Sequence, residues 1–147
     1  MIGSVISGTL RYEETIPAFI DALAQFDEGA ARRFRSEYEA IDSDDADACH
    51  DTIELSQEIE DALNENAPDY TYFGTHQGDG ADFGFWVDWD RIQEDQGREL
   101  YHTDDSAKLA SPDNCFRVGL VVNDHGNASL FRWDDDNNEW TEVWSVV

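Results

Sequence analysis

The chain has 147 residues and sets 34 Asp and Glu against nine Lys and Arg, a formal charge of −25. A field of that sign disfavours direct nucleic-acid binding and attachment to anionic membranes, and no run approaches the ~18 apolar residues of a membrane span. Its 40% hydrophobic content, with five Trp, five Tyr and eight Phe, is too apolar for a disordered acidic tail and predicts one folded acidic domain, 1–147.

Val5 to Tyr12 reads as a strand with Ile6, Leu10 and Tyr12 on one face. Thr15 is placed to cap a helix in which Ile16, Phe19, Ile20, Leu23 and Phe26 form a core-facing stripe, with Pro17 in its first turn. Asp27 opens a second helix to about Ile41, with Ala30, Ala31, Phe34, Tyr38 and Ile41 pointing inward. A third spans Ala46 to Asn66 and buries Ile53, Leu55, Ile59, Ala62 and Leu63. Past Pro68 the period changes from 3.6 to 2. Strands follow at Tyr70–Thr75, Asp82–Trp89, Phe116–Asn123, Ser129–Trp133 and Trp140–Val147, with turns at Gln77–Gly80, Asp124–Asn127 and Asp134–Asn138. A short helix or loop covers Asp90 to Gly97. A strand, then helices, then strands predicts an α+β fold, three helices packed on one face of an antiparallel sheet formed mainly by the C-terminal half.

The third helix carries the most pointed functional signal. Asp47, Asp51, Glu54, Glu58, Asp61 and Glu65 recur at steps of four and three, so they fall within an arc of about 80° on one face. No Lys or Arg lies between Asp42 and Tyr70, whereas an ordinary solvent face alternates the two signs. Like charges at i, i+4 cost a few tenths of a kcal/mol each. Carboxylates about every 5 Å compare in order with the phosphates of one DNA strand, ~3.4 Å apart. The expected contacts to a partner are these six acids first, and Asp134, Asp135 and Asp136 second.

Other chemistry is weakly supported. His76 with Asp79 and Asp82, and Asp124 with His125, would form a metal-assisted hydrolase only if their two turns converged, and no HxxxH or HExxH spacing supports that. The acidic run from Asp134 lacks the glycine and alternation of an EF-hand. Gly78-Asp79-Gly80 has no GK[ST] and opens no helix. The tryptophans have acidic neighbours, against base stacking. Cys49 and Cys115 form no CxxC pair and read as reduced, buried or half-buried thiols. Arg32, Arg33 and Arg35 read as ion-pair partners for neighbouring helices. No catalytic residue, no metal and no cofactor is expected.

The blocks Ser7-Gly8-Thr9-Leu10 through Ile16-Pro17-Ala18-Phe19-Ile20-Asp21-Ala22-Leu23, and Tyr72-Phe73-Gly74-Thr75-His76-Gln77-Gly78-Asp79-Gly80-Ala81-Asp82-Phe83-Gly84-Phe85-Trp86, resemble small uncharacterised accessory proteins of tailed bacteriophages. They cover under a third of the chain. The resemblance implies a non-structural protein of the infected bacterial cytoplasm, and no activity or functional residue. Together, stripe and context lead to the expectation of a DNA or RNA mimic binding a basic host nucleic-acid-binding protein, such as restriction or CRISPR machinery. The alternative is an acidic protein adapted to high salt, with an unrelated binding role. Partner identity and oligomeric state are not encoded in any motif.

Overall fold

A computed structural model describes residues 2–110 and 115–147. The fold is α+β, and its strands form two sheets. The chain divides into two compact units: a helical unit, Gly3–Ala67 with Thr71–Trp86, and a sheet unit, Met1–Ile2 with Pro68–Tyr70 and Val87–Val147.

In the helical unit, β1 (Gly3–Ser7) is followed by α1 (Tyr12–Leu23), α2 (Glu28–Ala40) and α3 (Ala48–Glu65), then by β2 (Thr71–His76) and β3 (Asp79–Val87). The three strands are ordered β1-β3-β2, and the three helices fall in the unit of this smaller sheet. The first strand ends earlier than its hydrophobic pattern predicts, because Gly8 takes φ +80° and turns the chain. Leu10 is therefore 65% exposed, and Tyr12 opens α1. That earlier start also removes Thr15 from the cap: it is buried inside the helix, and Pro17 lies within the helix, not in its first turn. Lacking an N–H, Pro17 leaves the Glu13 carbonyl without its helical donor. The Asp27 cap is as expected, its carboxylate accepting from the Ala30 amide at 2.9 Å.

Helix periodicity places Ile16, Ile20, Leu23, Phe34, Ile59 and Leu63 in the core, each at most 1% exposed. Phe19 meets Phe73 of β2 edge-on, with ring centroids 5.0 Å apart, and Phe83 of β3 at 5.3 Å. Phe73 in turn packs on Phe85 at 5.1 Å. At Gly84 the backbone of β1 comes so close that a Cβ would lie 2.2 Å from the Gly3 carbonyl oxygen. No other residue fits there without separating the strands.

The sheet unit contains α4 (Trp89–Asp95), β4 (Leu100–Thr103), a 3-10 turn (Ser106–Ala110), β5 (Val118–Val122), β6 (Ala128–Asp134) and β7 (Glu139–Val146). Its order is β4-β5-β6-β7. Pairing is antiparallel except between β4 and β5, which run parallel. Buried Leu100, Leu120, Leu130 and Trp144 form the core with Tyr70, and partly buried Ile2 packs against it. The Trp144 indole donates to the Asp69 carbonyl at 2.7 Å.

Tyr70 adopts φ +58°, a left-handed conformation that bulky residues rarely take. Its hydroxyl donates to Asp95 at 3.0 Å. Burial foremost, and that hydrogen bond to an anion, push its pKa up from 10.0 to about 12. The folded state thus favours the neutral phenol. Its contribution to stability is complete below pH 10 and lost as pH rises from 10 through 12. An alkaline absorbance titration should show one tyrosine ionising near 12, a late step absent from Tyr70→Phe.

Among the described residues, no helix is long and apolar enough to cross a membrane.

Candidate functional site

All six acids of the predicted stripe lie on exposed positions along α3 or at its N-cap, Asp47. The helix presents them because its opposite side is committed to the core: Leu55, Ser56, Ile59 and Leu63 are buried. Ile53 and Ala62, predicted inward with them, are only partly buried. At 1.5 Å per residue, the 18 residues of α3 extend about 27 Å, somewhat less than one helical turn of B-DNA, ~34 Å.

One side chain, Asn64, ties this helix to a neighbouring strand, while others bond within it. Thr52 bonds back to the Ala48 carbonyl at 2.7 Å. Asn64 donates to the Phe73 carbonyl at 3.0 Å and accepts from the Phe73 amide at 2.9 Å, fixing the last turn of α3 to β2. Glu60, off the stripe, is half-buried; desolvation raises its pKa, opposed by a hydrogen bond from Ser56, while Asp61 raises it further.

The stripe is left open. Glu54 pairs with His50 at 3.1 Å, and the other five stripe acids make no ion pair among the described residues. The nearest cluster of arginines is occupied elsewhere: Arg32 pairs with Glu28 at 3.1 Å, Arg33 with Glu37 at 3.8 Å, and Arg35 reaches Asp21 of α1 at 2.7 Å. Two of those pairs are within α2, and only Arg35 links two helices. From Asp42 to Glu65 the chain carries ten acids and no Lys or Arg.

The secondary set behaves differently. Asp134 closes its turn, accepting from the Asp136 and Asn137 amides at 2.9 and 3.3 Å and from the Asn137 side chain at 2.7 Å. Those bonds, the Asn137 side chain first, lower its pKa. Asp135 accepts from Arg117 at 2.6 Å and from the Trp133 indole at 3.0 Å. Of the three, only the Asp136 carboxylate has no such partner among the described residues. The expected second contact patch therefore spends two of its three acids on the hairpin itself, a use that an Asp-Asp-Asp-Asn run shares with any solvated turn.

The histidine turns have local roles. His76 accepts from the Gly78 amide at 3.1 Å and packs edge-on against Trp86 at 4.7 Å. His125 belongs to a turn whose amides are held by Asn123. Among the described residues, no group of three His, Cys, Asp or Glu side chains could hold a metal ion. Cys49 and Cys115, expected to be buried or half-buried, are free and exposed. Cys49 lies in the first turn of α3, before the buried positions begin.

Comparison with protein-family models, with curated proteins and with solved structures finds no match.

Proposed function

We propose that this chain is a non-enzymatic accessory protein of phage type that acts in a bacterial cytoplasm. It offers the carboxylates of α3 to the basic groove of a host nucleic-acid-binding protein and occupies the place of DNA or RNA. The observation that carries this reading is the open anionic face of α3, six exposed acids in a segment of ten acids without a Lys or Arg. A rigid helix holds the charges in fixed register, and their field favours rapid, salt-sensitive association with a basic surface. The face needs no catalytic group and no cofactor for this role.

The test is affinity capture from bacterial lysate on the immobilised protein, followed by elution with rising salt or with duplex DNA. The expected result is a basic nucleic-acid-binding protein released by both. Capture of no such protein, or of one that duplex DNA does not displace, would remove the mimic reading. A second reading, adaptation to a salt-rich solvent, is favoured by one observation: acids are not confined to one unit, and 15 of the 34 belong to the sheet unit. Under that reading no DNA-displaceable partner is captured.

A further inference from the structure

We propose that the sheet unit holds a second, separate binding site, a cleft for a small phosphomonoester lined by Arg91, Arg98, Arg117 and Arg132. The cleft has a volume of about 400 Å³ and also takes in Tyr70 and Phe116, within the size range of small-molecule sites, roughly 300–1,000 Å³. Four of the nine cations of a chain at −25 line this one cavity. They come from four separate places: α4, the segment before β4, the position just before β5, and β6. Such scarce positive charge gathered from distant positions is the reverse of what a uniformly acidic surface would place there.

Two of the guanidinium groups are engaged. Arg132 is paired with Asp69, and Arg117 holds Asp135 at 2.6 Å. Arg91 and Arg98 make no ion pair among the described residues, and Arg91 lies over the Tyr70 ring, 5.1 Å from its centroid. Two open guanidiniums match the two charges of a phosphomonoester, and their forked donors suit phosphoryl oxygens better than an ammonium would. Tyr70 adds an independent sign of a built site: a bulky residue at φ +58°, with its hydroxyl anchored on Asp95, is the kind of strain that collects at ligand sites. The cavity leaves room beyond a phosphate for an organic group beside Phe116 and Val118.

Opposing charges bear on the affinity. Glu99 and Asp69 line the same cleft, and Asp95 stands behind Tyr70. Distant acids count for less, because at physiological salt the screening length is about 8 Å. Binding of moderate strength, strongest at intermediate ionic strength, follows from these terms.

Amide NMR titrations with inorganic phosphate and with phenyl phosphate test the assignment. Saturable shifts are expected at Arg91, Gly97, Arg98 and Phe116 to Val118, and none along α3, with phenyl phosphate binding about tenfold more tightly than inorganic phosphate. Arg91→Gln and Arg98→Gln should each weaken phenyl phosphate by about tenfold or more, and Arg33→Gln should leave it unchanged. Absence of saturation with phenyl phosphate up to about 10 mM would overturn the site, as would full affinity in both cleft variants. Equal affinity for the two probes would overturn its assignment to an organic phosphate.

Discussion

Converting Asp51, Glu54, Glu58 and Asp61 together to Asn or Gln is expected to weaken the captured partner's binding roughly a thousandfold, taking about 1 kcal/mol for each charge pair lost. The protein should remain folded. All four side chains are exposed, and among the described residues only Glu54 has a side-chain partner, His50 at 3.1 Å. The substitutions remove repulsion between Asp51 and Glu54, Glu54 and Glu58, and Glu58 and Asp61, each about 0.2–0.5 kcal/mol. Against this stand the lost His50 pair and the favourable position of Asp51 in the first turn of α3, which is worth about 0.3–1 kcal/mol. These contributions nearly cancel, so unfolding and binding separate cleanly in one variant. Calorimetric titration against the captured partner reads the first quantity and urea unfolding the second. A quadruple variant that binds as tightly as the parent would show the stripe to be solvated surface only.

The largest stability effect should come from Phe19→Ala, a loss of about 3–5 kcal/mol. Phe19 is 1% exposed and is the ring that joins α1 to both Phe73 and Phe83. Its removal leaves a cavity between helix and sheet that neither strand can fill without breaking register. For a domain of ordinary stability, about 5–15 kcal/mol, that is a large fraction of the total. Urea unfolding should show a lower midpoint at an unchanged slope. Phe26→Ala provides the contrast: Phe26 is 38% exposed, though it touches Phe85, and its loss should cost about 1 kcal/mol. A Phe19→Ala loss no greater than that of Phe26→Ala would show that the ring does not organise the core.

Periodicity located the three long helices to within a few residues because each must bury an apolar stripe, as Leu55, Ile59 and Leu63 do on α3. The stripe acids follow outward, since the faces of one helix constrain each other. Local backbone choices were less visible. Gly8 ends β1 by its positive φ, and nothing in the alternation of Ile6, Leu10 and Tyr12 announces it. The four-residue β4 is too short to show a period, and its parallel pairing with β5 depends on tertiary contacts. The division into two sheets was hidden for a similar reason, as strands of both read alike. The arginine cleft was the least visible feature, for its four arginines lie up to 41 positions apart and meet only through the fold of the sheet unit.

The sheet unit has a consequence for the order in which the chain acquires structure. It is discontinuous: Ile2 and Asp69 belong with strands that end at Val146, and the Trp144 indole bonds to a carbonyl 75 positions earlier. All of the helical unit, by contrast, has been made once the chain reaches Trp86. Its helices form through near-neighbour contacts, which are fast, whereas closing a loop of such length carries an entropic cost before any contact rewards it. During synthesis the N-terminal helices therefore collapse first, while Ile2 and Pro68–Tyr70 wait for the C-terminal strands.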